Sequence, residues 1–583
     1  MTSNHHREHN RLFAAGEREE KLIIALDFGT TYSGVAYCFA NQTDAKPVAI
    51  MKWPGNRGVS APKIPTVIEY SKEEPTGFRW GASANKARGG IVAIKLLLDP
   101  EQERPLYLSA NNTRKQLKSL PKKPVEIAAD FIRAIYEHAL GEISTTVPKA
   151  YMDICQKEFV LSVPAVWSDA AKNATLKVSS QAAELAGIKS VTVVKEPEAA
   201  ALYSIKTLDF SIEKNDAFVV CDAGGGTVDL ISYEVMAVAP QLKVKELVPG
   251  TGGMAGSLGL NERFASAVEE LVGDHQWLKL KSSKAWSFAE RQFDQEIKKA
   301  FNGELEEEYY VNFPMAELWD DKDSNLVSNT WKLTGHELSR IFEPLVADIV
   351  KMIEYQVQEV RLKRPERGIS GICLVGGFGS SNYLMQRVKQ HFPQIQVLQP
   401  EDAWAAIVKG SVLSKLPGQA AVTSTCATRH YGTKYWTPYD VSRDAGEKTC
   451  LNRTGEMVVY EMGWFIQTGD NILCDQRFDI PLGDNFDDIH SPGDLVRTYS
   501  LWQCEDKLAP FYPSKAKKLL LNCTVTADLR HVAKRKFIPS TDREGKPFYK
   551  LRFSLIMTYK SAIMTFSVEV DGEEMGSTKV DYA

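Results

Sequence analysis

The 583-residue chain has no CxxC pair, no long apolar run and little net charge. Each absence excludes something. Its nine cysteines, at 38, 155, 221, 373, 426, 450, 474, 504 and 523, are scattered, and Cys38, Cys221 and Cys373 lie inside apolar strand-like runs. Such spacing reads as buried reduced thiols rather than as a disulfide framework or a zinc cluster. No apolar stretch reaches the roughly 20 residues needed to cross a bilayer, and the opening MTSNHHREHNRLFAAGEREE lacks the apolar core of a signal peptide. The expectation is a cytoplasmic or nuclear protein. Lysine and arginine total 70 against 74 acidic residues, spread along the chain for a formal net charge of -4. Neither nucleic acid nor an anionic membrane surface is implied as a partner.

What is present is ample apolar material, 44% hydrophobic against 25% charged, enough for a large globular fold of more than one domain. LIIALDFGTTYSGVAYCF, residues 22–39, begins as a buried strand, reaches Asp27, and turns at once on Gly29-Thr30-Thr31. FVVCDAGGGTVDLISYEV, residues 218–235, repeats the design with Asp222 and Gly224-Gly225-Gly226-Thr227. Two copies of one strand-turn-strand unit, 195 positions apart, predict two related lobes facing each other across a cleft. Turns of glycine and small hydroxyl residues expose successive backbone N–H groups at close range, which is what phosphate oxygens need. A carboxylate beside those phosphates is repulsive unless a cation lies between, so Asp27 and Asp222 are candidate holders of a hydrated Mg²⁺. Either turn alone is as well explained as an ordinary hairpin. Their pairing favours the phosphate reading.

Helices fill the intervals. VEIAADFIRAIYEHAL (125–140) places Ile127, Phe131, Ile135 and Ala139 on one face, and TGHELSRIFEPLVADIVKMI opens with a capping box of Thr334 and Glu337 and carries an interior Pro344 that predicts a bend. Strands alternating with helices up to about residue 415 read as α/β. Beyond a small, polar boundary over 416–428, the runs MVVYEMGWFI, LVRTYSLWQC, KLLLNCTVTA, FYKLRFSLIMTYK and AIMTFSVEV predict a smaller β-rich C-terminal domain over 429–583.

The two turns resemble the phosphate loops of the actin-like ATPase superfamily, specifically its 70-kDa heat-shock protein branch, and three further stretches agree. FVLSVPAVWSDAAKNATLKVSSQAAELAGI with VTVVKEPEAAALYS resembles the segment leading to that family's glutamate-proline-alanine motif, here Glu196-Pro197-Glu198-Ala199-Ala200. ICLVGGFGSSNYLMQRVKQHF, with Gly376-Gly377, resembles its adenosine-side turn, and VLQPEDAWAAIVKGSVL its closing helix. The resemblance covers about residues 22–415 and implies an α/β, duplicated two-lobe actin-like ATPase fold with a central nucleotide cleft over 21–415, after a tail over 1–20. It implies ATP or ADP with Mg²⁺, contacts to the terminal phosphates from Thr30 and Thr227, magnesium-side acids at Asp27 and Asp222, and an acid near the attacking water at Glu196. Asp229 resembles the second acid after the triple glycine, with a solvated strand residue as the alternative. Lys95 is the candidate γ-phosphate cation, with an exposed helix lysine as the alternative. Pro164 matches a proline that relays nucleotide state in that family, with an ordinary strand-end proline as the alternative.

The chain also departs from that pattern. Phe378-Gly379-Ser380-Ser381 follows Gly376-Gly377 without the adenine-stacking arginine, and DQEIKKAFNG keeps Glu296 and Lys299 in the family's ribose- and adenine-facing spacing but has Ala300 where a second arginine would lie. The leucine-rich linker is not reproduced, and no helical lid follows, as in a divergent, lid-poor fungal and animal branch. The expected function is ATP binding with slow hydrolysis, coupled to a β-rich region that takes client polypeptides or co-chaperones. A nucleotide-gated interaction protein without useful turnover is the alternative, and a small-metabolite kinase of the same superfamily a weaker one. The oligomeric state is not legible.

Overall fold

The computed structural model describes residues 20–40, 45–56, 58–71, 77–84, 90–98, 122–165, 167–185, 190–207, 212–560, 562–574 and 578–582. All of the expected N-terminal tail but Glu20 lies outside them. Two sheets repeat one plan. In the first, the order is Val48–Ala49, Tyr32–Phe39, Lys21–Asp27, Gln156–Val163, Ser190–Lys195, with Ile64–Pro65 added on Tyr32–Phe39. In the second, Leu242–Gly253, Val228–Ala237, Ala217–Ala223, Gly371–Val375 and Gln396–Leu398 follow in the same order. Each central hairpin is antiparallel, and its first strand pairs in parallel with a strand from much later in the chain. A strand packed on both faces must be apolar throughout rather than alternating. Leu22 to Leu26 and Phe218 to Cys221 meet that requirement, all of them fully buried.

Helices cover the faces. The Pro124–Thr146 helix buries Ile127, Phe131, Ile135 and Ala139 as its periodicity predicts. The Gly335–Lys363 helix starts at the Thr334–Glu337 capping box and continues through Pro344. The one residue with non-helical backbone inside the Leu258–Leu280 helix is Gly273, at φ 73°. Between the two sheets, the Glu196–Thr207 and Ala406–Leu413 helices cross so closely that a Cβ on Gly410 would stand 1.7 Å from the Ala199 carbonyl oxygen. Glycine at 410 and the alanines at 199 to 201 are what that crossing requires, and it fixes the buried helix start at Glu196.

The 416–428 boundary forms part of the second sheet. Ala420–Cys426 pairs in parallel with Leu242–Gly253, and Asn471–Leu473 pairs with its other side. Each of the five later apolar runs forms a strand, and the described residues from 430 onward contain strands and single turns of 3-10 helix but no α-helix. They make a six-stranded and a five-stranded sheet that share an apolar core including Tyr431, Phe486, Leu501, Val525, Phe553 and Met557. All nine cysteines are unpaired thiols, and of these Cys450 and Cys474 are exposed. Among the described residues no helix is long and apolar enough to cross a membrane.

Gly410→Val forces the two helices apart and costs about 3 kcal/mol or more. The expected result is a clearly lower urea midpoint, and an unchanged midpoint would show that the crossing has slack.

Candidate functional site

The two glycine turns meet. A Cβ on Gly226 would lie 2.6 Å from the Thr30 hydroxyl oxygen and one on Gly225 2.1 Å from that of Thr31, so side chains are excluded from this apposition. The second turn is closed by the Gly224 N–H on the Thr227 carbonyl at 2.9 Å and clasped from behind by Ser257 and Leu258, whose N–H groups donate to Gly224 and Gly225. Thr30 and Thr227 are buried, while Gly29 and Thr31 are half-buried. Across the first turn, the Thr66 hydroxyl donates to the Gly29 carbonyl and its N–H to that of Thr31.

Each hairpin ends in a buried acid. Asp27 stands opposite Gly34 in the ladder, and that missing side chain lets Lys63 lie across the strand, its Cγ 3.1 Å from where a Cβ would be. The Lys63 ammonium then reaches Asp27 Oδ2 at 2.6 Å. In the second hairpin the residue opposite Asp222 is Asp229. Like charges opposed across a ladder repel. Asp229 Oδ1 accepts the Ala165 N–H at 3.0 Å, but Asp222 Oδ1 is fully buried with no hydrogen-bond partner. Burial above all, then the carboxylates of Glu196, Asp229 and Asp27, raises the Asp222 carboxyl well above its ordinary range. Gly376, at φ 86°, covers this atom, and a Cβ there would be 2.4 Å from Asp222 Oδ1.

Lys95 and Glu196 form a buried ion pair at 2.5 Å. Lys95 lies in the Ile94–Leu98 turn, 4% exposed, and its ammonium stands 5.6 Å from the Trp167 ring centroid. The exposed-lysine alternative is therefore set aside. So is the solvated alternative for Asp229, which is 1% exposed. Burial pushes Glu196 up to about 7, Lys95 pulls against it, and Asp27 and Asp229 add to the rise. Lys95 is raised because Glu196 and Asp27 outweigh its own desolvation.

Asp27, Lys95, Glu196, Asp222 and Asp229 thus share one electrostatic neighbourhood with the two turns. Glu296 and Lys299 are exposed, and a Cβ on Gly377 would meet open space. A π-turn over Phe293–Ile297 shifts the helical phase, and the residues of this helix that reach the first hairpin and the second turn's clasp are Asp294, which accepts from Tyr32 at 3.1 Å, and Lys298, which donates to Asp294 and to the Ser257 carbonyl. Sequence reading missed Lys63, whose signal was the glycine opposite Asp27, and it missed Asp294 and Lys298, because a π-turn leaves no mark in a periodicity count. Among the described residues no three His, Cys, Asp or Glu side chains are grouped to hold a metal ion by themselves. Mg²⁺ takes one or two carboxylates and completes its shell with water and phosphate, so the partnerless Asp222 oxygen beside the apposed turns fits it.

Similarity to known proteins points the same way. Residues 211–402 match a protein family described as a domain of unknown function (DUF8340). The chain is 25% identical to the human heat shock 70 kDa protein 12A over 67% of its own length and 69% of that protein's. It is likewise 25% identical to the human heat shock 70 kDa protein 12B, over 70% and 71% of the two chains. Against the chaperone protein DnaK of Burkholderia cenocepacia (strain HI2424) it is 24% identical, over 67% of this chain and 59% of that one. The chain is a divergent heat-shock-70-like protein. An actin-like ATPase fold follows for this heat-shock-70-like chain, consistent with its mixed α/β architecture of several sheets.

Two outcomes follow from the ion pair. The folded heat-shock-70-like protein retains a proton on Glu196 that an unfolded chain has released, so between about 4.5 and about 7 this group lowers stability as pH rises. Glu196→Gln removes that contribution, and urea midpoints across this pH range should fall less steeply in the variant. Lys95→Met removes the partner of buried Glu196 and, above about pH 7 where Glu196 is charged, costs up to about 3–5 kcal/mol, most of which the double variant Lys95→Met/Glu196→Gln recovers in the same assay.

Proposed function

We propose that this protein binds ATP and ADP with Mg²⁺ between the two glycine turns and hydrolyses ATP slowly, as a heat-shock-70-like switch. The observation that carries the reading is the apposition of the two turns around Asp222, whose buried oxygen lacks a partner. In this reading the identical five-strand order of the two sheets represents two lobes, with the nucleotide-binding region over 21–415, a linker over 416–428 and a C-terminal β-rich domain over 429–583.

The backbone N–H groups of Gly29-Thr30-Thr31 and Gly224-Gly225-Gly226-Thr227 would hold the phosphates, and Asp27 and Asp222 would hold the cation. Bound Mg²⁺ supplies neutralisation of phosphate charge. Glu196, raised towards neutrality by burial, positions the attacking water and accepts its proton once Lys95 turns from it to the γ-phosphate side. Phosphoryl transfer asks mainly for such positioning and charge compensation. Gly376-Gly377 borders the adenosine side, with Glu296 and Lys299 at the edge of the base. The β-rich region takes client polypeptides or co-chaperones, in the cytoplasm or nucleus.

A second reading, nucleotide binding that gates partner interaction without useful turnover, is favoured by one feature: Lys95 and Glu196 satisfy each other, and Lys63 occupies Asp27. Calorimetry of ATP with and without Mg²⁺ is expected to show Mg-dependent binding that Asp27→Ala weakens by about tenfold or more, with single-turnover hydrolysis lost in Glu196→Gln. Binding without any turnover selects the second reading, and absence of Mg-dependent binding refutes both. Asp222→Asn should leave the urea midpoint unchanged or raised, since its carboxyl is already displaced towards the neutral form, while weakening Mg-dependent binding.

A further inference from the structure

A concavity lies at the start of the Asp169–Leu185 helix. A cavity of about 270 Å³ is lined by Ala165, Trp167, Asp169, Lys172, Gly250, Thr428, Arg429, Tyr431 and Glu505. Its walls come from the start of the Asp169–Leu185 helix, the Leu242–Gly253 strand and the segments around 428–431 and 505. Among the described residues, one of its donors has no hydrogen-bond partner and a second has only a distant ion pair. The indole N–H of Trp167, a residue 2% exposed, has no hydrogen-bond partner. Lys172 is 7% exposed, and the carboxylate nearest its ammonium, Asp169 Oδ1, stands 3.8 Å away, an ion-pair distance too long for a hydrogen bond.

Asp169 is engaged elsewhere: its Oδ2 accepts both the Tyr431 hydroxyl and the Asn522 amide, each at 2.8 Å. The acid wall of the cavity is likewise spent, because Glu505 pairs with Arg429 at 3.1 Å. The lining residues Trp167 and Lys172 thus bring an unpartnered N–H and an ammonium without a hydrogen-bonded carboxylate, with Arg429 among their neighbours in the lining. Burial lowers Lys172 to about 8, and Asp169 does not make up the loss. A buried cation without a hydrogen-bonded acceptor costs free energy that a bound anion returns.

We propose that this cavity is a binding site for a small oxyanion, a carboxylate or phosphate group held by Lys172 Nζ and Trp167 Nε1–H with Arg429 at its rim. The volume admits an anion of metabolite size with a few waters and excludes a nucleotide. The site is separate from the paired glycine turns and does not depend on nucleotide binding. Its occupant would touch both the 165–172 segment, which reaches Asp229 and Lys95, and the 428–431 segment at the start of the β-rich region.

The test is titration calorimetry of inorganic phosphate and, separately, succinate into the full chain at matched ionic strength, repeated on Lys172→Met, Trp167→Phe and Asp27→Ala. Trp167→Phe keeps the aromatic ring and removes only the N–H. Binding of either anion is expected, weakened about tenfold or more by Lys172→Met and a few-fold to about tenfold by Trp167→Phe, and unaffected by Asp27→Ala. Whichever of the two anions binds names the oxyanion. Circular dichroism and urea midpoints identify a variant that has lost its fold, in which case protection of Trp167 from fluorescence quenching by the anion, read as the difference from Trp167→Phe, takes its place. Absence of binding by both anions overturns the proposal, as does binding indifferent to both cavity variants. Phosphate binding that vanishes in Asp27→Ala and survives in Lys172→Met belongs to the nucleotide site and overturns it too, while leaving the nucleotide reading intact.

Discussion

Carboxylates buried at the ends of strands have to be neutralised, and the centre of this molecule is organised by that requirement. Asp27, Glu196, Asp222 and Asp229 lie at most 5% exposed, against two lysines. Lys63 answers Asp27 and Lys95 answers Glu196. In the Asp222–Asp229 pair, opposed in register, Asp229 Oδ1 accepts the Ala165 N–H, and Asp222 Oδ1 has no hydrogen-bond partner among the described residues. The two hairpins therefore differ at one ladder position, glycine at 34 and aspartate at 229, and that difference decides which acid carries its own cation and which does not. An acid excess of this kind is costly to an isolated fold. It becomes reasonable where a cation arrives with a ligand.

Much of this was legible in the sequence. Runs buried on both faces, such as Leu22 to Leu26, read as central strands because nothing polar interrupts them, and the duplicated acid-glycine turns stood out because the same residue types recur at the same offsets. The five apolar runs after residue 456 were equally plain, each bounded by turn residues. Other placements depend on tertiary structure. The 416–428 segment reads as a boundary from its small and polar residues, and the strand Ala420–Cys426 within it is paired on both sides, which composition does not show. Glu296 and Lys299 came from the resemblance to the family's spacing; both are exposed, and the π-turn beside them leaves no mark in the sequence. Lys63 approaches Asp27 through space from the residue just before the two-residue strand Ile64–Pro65, a contact that depends on register. The exposed or buried state of Lys95 and Asp229 is a tertiary property and was open until the fold placed them.

The candidate site and the β-rich region are physically contiguous. Asp229 accepts from Ala165, Lys95 stands over Trp167, and Asp169, two residues on, takes hydrogen bonds from Tyr431 and Asn522. Val163 and Val193 pack against Ala562 beside this polar seam. Within about seven residues of one strand end, backbone, aromatic and carboxylate contacts lead from the paired turns to both sheets of the later region. Pro164 stands at this strand end, between Val163 and Ala165, where these contacts converge.

The Ala420–Cys426 strand is hydrogen-bonded on one side to Leu242–Gly253 and on the other to Asn471–Leu473. It is a splice between the two halves of the chain rather than a tether. Tension applied along the strand axis loads its ladder bonds together, in shear, whereas a flexible tether would simply extend. The two halves consequently separate in one abrupt step that releases the whole strand, and the chain holds its joined state against pulling forces that a disordered connector would yield to from the first ångström.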